Sequence, residues 1–415
     1  MKWRAVKLEH IKAHEKGALV SGPFGSSIGS RFFVEEGVPV IRGNNLSLGR
    51  EQFIDEGFVY ITEEKARQLR NCEARFGDIL FTAAGTLGQV GLIPKTCRFS
   101  RYIISNKQIR LRLDTSQAFP PFVYYFLSSP NMRSFIAAQN KGSSVPLLTL
   151  GIVRNLRILL PILTSQKKIA AILLAYDELI VNNKRRIGLL EKLAEEVYRE
   201  WFVRLRFPGH ENVKKPKGVP VGWADKKFGQ FCYLQRGFDL SDAHVESGPY
   251  PVVASTSIKA YHIQYKVEPP VITTGRSGSL GKVLFVNCRA WPHNTTLYVK
   301  HFFGNSPFLI YYTLKNMHLE NFNAGAGVPT LNRNHLNGIP IIVPDKKIQN
   351  MFDNIVSNLH LQADLLGKAT EKLIMTRDML LPRLISGKLS VENLDIQFPP
   401  GMREELDQTS DPTHA

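Results

Sequence analysis

Reading a base sequence takes side chains that offer a donor and an acceptor together, or a forked donor, held beside groups that grip phosphate. Such side chains recur in this sequence between apolar runs. Arg42, Asn44 and Asn45 follow VPVI; Ser105, Asn106, Lys107 and Gln108 precede IRLRL; Lys141, Ser143 and Ser144 form a basic loop around Gly142 that suits a phosphate. A second set holds Ser255, Thr256, Ser257 and Lys259, then Arg276, Ser277, Gly278 and Ser279, then His293, Asn294 and Thr295. These types are also ordinary turn formers, so no single residue carries the reading. Two groups of three such loops, each inside a basic block, favour nucleic acid as the partner.

The charge supports this. The chain carries a formal +17, distributed as +10 over residues 1–163, +3 over 164–210, +7 over 211–344 and −3 over 345–415. Charge of this size speaks to partners and not to fold, and a polyanion comes first. Groups that would do chemistry are missing. No carboxylate cluster has the spacing of a nuclease metal site. The Pro-Pro pairs at 120–121, 269–270 and 399–400 each lack either the preceding Asn or Asp or the following aromatic residue with which amino-methyltransferases grip a flipped base. GTLGQVG (85–91) and GRSGSLG (275–281) are neither dinucleotide nor P-loop motifs. The four cysteines form no CxxC, and the histidines show no metal-ligand spacing. The sequence therefore predicts no metal and no cofactor in this chain. It has no apolar leader and no run long enough to cross a bilayer, so a cytoplasmic location is expected.

The chain repeats itself once. Residues 142–166 align with 325–349 without a gap, with identities at Gly142/Gly325, Val145/Val328, Pro146/Pro329, Leu148/Leu331, Ile158/Ile341, Pro161/Pro344 and Gln166/Gln349. AGTLGQV (84–90) answers SGSLGKV (277–283), and KWRAVKLEHI (2–11) answers GWADKKFGQF (222–231). Each copy reads as short strands between glycine and proline turns, then an aromatic helix (120–129 or 307–316), a glycine loop, a strand and a long helix. The first aromatic helix has the composition to run on through MRSFIAAQ.

The long helices must position the rest. In the first, Ile169, Ile172, Tyr176, Leu179, Ile187, Leu190, Val197 and Trp201 recur at steps of three and four, with polar Asn183 in the seam; in the second, Ile348, Phe352, Ile355, Leu359, Leu366, Leu373 and Leu380 do the same. Neither stripe can be hidden alone, so the two should pack on each other, antiparallel; the alternatives are a homodimeric coiled coil, or each helix folding onto its own domain. A helix over 164–201 would be about 57 Å long. The expected fold is α+β: two similar mixed recognition domains (1–162 and 207–344) joined by a central helix (163–206) and a distal helix (345–390), with internal pseudo-twofold symmetry. A tail over 391–415 is expected to be disordered, most clearly in its acidic, polar end from about Met402.

These residues resemble the specificity subunit of type I restriction–modification systems. QKKIAAILLAYDELIVNNKRRIGLLEKLAEEVYREWFVRLRFPG (166–209) is similar to that family's central conserved region, VPVGWADKKFGQF (219–231) to the opening of its second recognition domain, VITTGRSGSLGKVLF (271–285) with WPHNTT (291–296) to that domain's core, and MLLPRLISGKLSV (379–391) to the close of its distal region. The resemblance implies a non-catalytic, sequence-specific DNA-binding subunit for host defence. Each recognition domain would read half of a bipartite, asymmetric target, and the helices would set the unspecified spacer. Two modification subunits would dock on the chain and carry S-adenosylmethionine. Restriction subunits, where present, would carry ATP and magnesium. The alternatives are an atypical DNA methyltransferase or nuclease, and a coiled-coil scaffold for protein partners.

Overall fold

The computed structural model describes residues 3–48, 51–138, 147–325, 327–399 and 402. The chain divides into two compact units: residues 1–182 with 369–415, and residues 183–368. The boundaries fall inside both long helices, so the helices are shared by the units rather than being separate domains.

The first unit carries three small sheets. One has the order Leu19–Ser21, Gln108–Leu111, Ile79–Thr82, Val90–Leu92. A second has the order Val59–Ile61, Val38–Ile41, Tyr102–Ile104, Glu73–Ala74, with its central pair parallel. The third pairs Arg4–Lys7 with Arg157–Leu160. The runs ILFT and QIRL are buried throughout because both faces are covered. Ile79, Phe81, Ile109 and Leu111 face one core with the aromatic helix, and Leu80 faces another with Val40, Ile103 and Tyr102. The nearly continuous apolar run ILFT is the expected outcome of such double burial, whereas in QIRL the polar Gln108 and Arg110 are buried as well.

The second unit has the same wiring. Tyr233–Arg236, Thr296–His301, Val271–Gly275 and Val283–Val286 form a sheet in that order. Ile258–His262, Tyr250–Val253 and Trp291–Pro292 form another, again with a parallel pair. Ala224–Lys227 pairs with Pro340–Val343. Arg4 faces Leu160 and Ala224 faces Val343, so the weak match between the two segments around Trp3 and Trp223 marks a genuine structural repeat. The aromatic helices are Pro120–Ser128 and Pro307–Asn316. The first does not run on. It stops at Ser129, extended ahead of Pro130, and a separate helix Pro130–Ala138 follows, as the steric demand of proline on its predecessor requires.

The long helices are Leu163–Tyr198, continued by a π turn Arg199–Val203, and Lys346–Ile385. In the first unit Ile169 and Leu173 share a core with Leu381 and Leu384; in the second, Ala194, Tyr198 and Trp201 share one with Ile348, Phe352 and Val356. The start of each helix thus meets the end of the other, so they run antiparallel. Two seam positions differ from expectation. Leu179 is 50% and Ile355 41% exposed, whereas Ile180 and Val356 are buried. The seam keeps a heptad spacing through residues 166, 173, 180, 187, 194 and 201, and stepping three residues from Tyr176 or Phe352 leaves that row, whereas stepping four stays on it. Asn183 is buried, as expected of a seam residue. The expected tail also begins later. Val391 is fully buried, Ile396 and Phe398 pack on the first core, and Lys168 Nζ donates to the carbonyls of Glu392 and Leu394 at 2.8 Å each. Residues 391–399 therefore belong to the first unit, because three apolar side chains in nine residues suffice to hold them there; residues 403–415 lie outside the described residues.

Gln166 and Gln349, identical in the repeat, do the same work in each unit. Gln166 Oε1 accepts from the amide of Phe119 (2.8 Å), and its Nε2 donates to Pro161 O (2.9 Å) and Gln117 O (3.0 Å). Gln349 Oε1 accepts from the amide of Ser306 (2.9 Å), and its Nε2 donates to Pro344 O (2.8 Å) and Asn305 Oδ1 (3.3 Å). Each glutamine ties the start of a long helix to the residue that opens the aromatic helix.

The copies differ one layer further in. Tyr125 donates to Asp177 Oδ2 (2.6 Å), and Arg377 Nη1 donates to Asp177 Oδ1 (2.6 Å). In the second unit Tyr312 meets His360 Nε2 at 2.8 Å, with the rings of Phe285, Phe308 and Tyr311 around the imidazole. Burial, aided by the charge of Lys315, pushes the pKa of His360 below its usual 6.5. The unfolded chain then holds this proton more tightly than the folded chain. Stability of the second unit should fall as pH drops through 6.5 and go on falling until the folded-state value is passed. His360→Gln should remove that part of the slope; urea titrations between pH 7.5 and 5 read it directly, and an unchanged slope would refute the assignment.

Candidate nucleic-acid interface

The recognition candidates can be built up from one glycine in each unit. A Cβ on Gly22 would sit 1.8 Å from the carbonyl oxygen of Ser105, and one on Gly237 would sit 2.2 Å from that of His293. Only glycine lets the chain pass so close over the turn that joins the parallel-paired strand to the central strand. Gly22 N donates to Gln108 O (2.9 Å) and Gly237 N to Thr296 O (3.0 Å). The same turn is braced alike in both units: Ser105 N to Ile41 O and His293 N to Val253 O; Gln108 N to Ser105 O and Thr296 N to His293 O; Ala83 N to Lys107 O and Arg276 N to Thr295 O; Leu148 N to Ala83 O and Leu331 N to Arg276 O. These bonds equate Asn106 with Asn294 and Lys107 with Thr295. The neighbouring hairpin loops match as well, with Gly85 and Gly88 in one unit and Gly278 and Gly281 in the other all at positive φ.

In the second unit this frame gathers all three expected loops. Ser255 Oγ lies 2.9 Å from both Ser277 O and Thr295 O, either of which can accept its hydroxyl proton, and Arg276 Nε donates to Asn294 O (3.1 Å). His293 is nearly buried; its Nδ1 meets Thr295 Oγ1 and its Nε2 meets Leu240 O, both at 3.1 Å. The ring is a bracket between loops and not a free base reader. Asn294 Nδ2 donates to Asp239, which also accepts from Arg236 (3.0 Å). The amide of Asn294 foremost, with Arg236 nearby, holds the Asp239 carboxyl below the usual carboxylate range. Lys259 pairs with Asp242 (2.5 Å), and Ser257 is exposed on the hairpin turn beside it.

The first unit gathers fewer of its candidates at the surface. Asn45 is fully buried: Oδ1 accepts from Arg42 N (2.9 Å), and Nδ2 donates to Ile54 O (3.0 Å) and Glu56 O (2.8 Å). Both of its amide hydrogens hold the 46–57 loop and the side chain is sealed from solvent, so it cannot meet a base edge. Gln108 is also fully buried and accepts from Ser105 Oγ. Gln108 leaves the candidate surface because it opens a strand and its register turns it inward, and Asn45 because it closes the turn Gly43–Asn45 back onto Arg42; spacing revealed neither. Arg42 Nη2 (3.3 Å) and Asn44 Nδ2 (3.1 Å) both donate to Gly57 O at a half-buried loop mouth. Asn106 and Lys107 are exposed. Lys141, Ser143 and Ser144 lie outside the described residues.

Sequence reasoning missed Gln89, which accepts from Thr82 Oγ1 (2.8 Å) and donates to Leu46 O (2.9 Å), tying the hairpin loop to the Arg42 loop. It also missed Phe24, 86% exposed two residues after Gly22, and Asp239, two residues after Gly237. The turn composition GPFG around an aromatic residue was the available signal for Phe24. Among the described residues no group of three or more His, Cys, Asp or Glu side chains could hold a metal ion, and no helix is long and apolar enough to cross a membrane.

One fold present twice, with a loop cluster of donors and acceptors on each copy and antiparallel helices between the copies, defines a paired recognition module. The family of type I restriction modification DNA specificity domains matches this chain twice, over residues 34–192 and 220–373, and the chain belongs to that family. It is a type I specificity subunit with two target-recognition domains, the non-catalytic member of such a system. The type I restriction enzyme MjaIX specificity subunit of Methanocaldococcus jannaschii is 25% identical over 394 residues, spanning 86% of this chain and 88% of that protein. The MjaVIII specificity subunit of the same organism is 32% identical over 117 residues, 28% of this chain and 27% of that one. Among solved structures, the type I restriction–modification S subunit from M. genitalium shares the fold with a TM-score of 0.61 at 17% identity, covering 93% of this chain and 96% of that chain.

Proposed function

We propose that each unit reads one half of a bipartite, asymmetric DNA target, that the helix pair fixes the unspecified spacer, and that two methyltransferase subunits dock on the chain. The observation that carries this reading is the repeated backbone frame bearing different side chains. A shared frame offers two equivalent partner surfaces, and its changed loop tips offer two different base readings. The positive charge concentrated in the two blocks supports a duplex partner. The exposed apolar side chains of the long helices support docked subunits: Leu179, Leu189 and Leu193 on one, Leu361, Leu365, Met375 and Met379 on the other, each at least 50% exposed. S-adenosylmethionine then belongs to the modification subunits, and ATP with magnesium to restriction subunits, with methyl transfer and cleavage carried out there.

The test is to map methylated bases across a genome that expresses this chain with its modification subunits. A bipartite motif with a fixed gap is expected, and a continuous motif would sink the proposal. Exchanging residues 16–160 for another recognition domain should alter one half of the motif and leave the other untouched.

A further inference from the structure

Asn106 and Asn294 stand at the same place in the two copies, placed there by the hydrogen-bond frame and not by sequence alignment. Asparagine in a turn ordinarily has a local reason: a left-handed backbone, or a side-chain bond that closes the turn. Neither applies here. Neither residue has a positive φ. Among the described residues the exposed Asn106 amide has no hydrogen-bond partner, and the Asn294 amide bonds to Asp239 on the facing loop and not within its own turn. The facing loop also lies close in the first unit, where a Cβ built on Gly25 would be 3.1 Å from Asn106 Nδ2. The two copies have diverged at most loop positions yet keep this side chain.

We propose that Asn106 and Asn294 are a symmetry-related pair of base readers, each taking the major-groove edge of one adenine in its own half-site. The carboxamide matches adenine alone among the bases, with Oδ1 accepting from the N6 amino group and Nδ2 donating to N7. Asn294 keeps that capacity while bound to Asp239, since Nδ2 carries two hydrogens and spends one. The residue two places after the close-approach glycine then makes the half-sites differ beside that adenine. Exposed Phe24 suits a thymine methyl, and the Asp239 carboxylate suits an amino group such as cytosine N4.

This assignment rests on the reading of each unit as the reader of one half-site. The full chain, assembled with its modification subunits, is selected on duplexes randomised across both half-sites. Asn106→Ala should lose discrimination about 5- to 150-fold at a single adenine of one half-site, and Asn294→Ala should do the same at one adenine of the other, each leaving the opposite half intact. The untouched half is the control for folding, and Asn106→Ser and Asn294→Ser, which keep the turns polar, should shift the same two positions. A uniform loss of affinity, an effect at a base pair other than A·T, loss of both halves in the Ala and Ser variants alike, or unchanged specificity would overturn the assignment. A wild-type motif that is not bipartite would instead overturn the half-site reading itself.

Discussion

Arg377→Met is expected to destabilise the first unit by about 3–5 kcal/mol, the usual cost of stranding one member of a buried ion pair. Arg377 is 9% and Asp177 19% exposed, and their 2.6 Å contact joins the two long helices within that unit. Asp177 keeps the Tyr125 hydroxyl as a donor, but a hydroxyl cannot replace a counter-charge. A second substitution, Asp177→Asn, removes the stranded charge and still leaves an acceptor for Tyr125, so the double variant should recover more than half of the loss. Urea denaturation of the four proteins in the cycle measures this coupling. Additive losses would mean that the pair does not act as a unit. The second unit illustrates the alternative: offset by the 183 residues of the repeat, His360 stands where Asp177 does and the buried Ala194 where Arg377 does. At that position the second unit places no ion pair across the seam.

The glutamine latches come next in size. Gln166→Leu strands the Phe119 amide and removes the donor to two carbonyls; Gln349→Leu strands the Ser306 amide and removes the donor to Pro344 O and Asn305. A buried polar group left unpaired costs about 1–3 kcal/mol, so each change should cost about 2–4 kcal/mol. Each loss should appear in its own unit: faster amide exchange in the aromatic helix Pro120–Ser128 for the first and in Pro307–Asn316 for the second. Exchange that rises equally in both helices for either variant would contradict the local role. Because the bonds fix where the aromatic helix starts, weakened latches should also reduce DNA discrimination by the affected unit only.

Much of this was legible along the chain. Gln166 and Gln349 emerged from an ungapped match, and both turn out to make the same three-way connection. The long helices were legible because a seam repeats every seven residues, and Asn183 proved buried as a seam residue should be. The slip at Leu179 and Ile355 has a plain cause. A step of three and a step of four are both helical, and apolar side chains stand at 179 and 180 and again at 355 and 356. Local pattern offers both, and the facing helix chooses.

What the sequence by itself determined is the duplication, the strands and aromatic helices of each copy, the helix pair and the sign of the partner's charge. All of these depend on residues near one another in the chain, or on composition. What only the tertiary structure decided is which polar side chains remain available. Asn44 and Asn45 are neighbours of one type, yet one lies at a loop mouth and the other is fully buried holding that loop together. Asn106 and Asn294 could not be equated from any single offset, since the repeat runs at 183 residues in one segment, 193 in another and 220 in a third. Their equivalence comes from backbone bonds between strands far apart in sequence, and those bonds exist only once the sheets have closed.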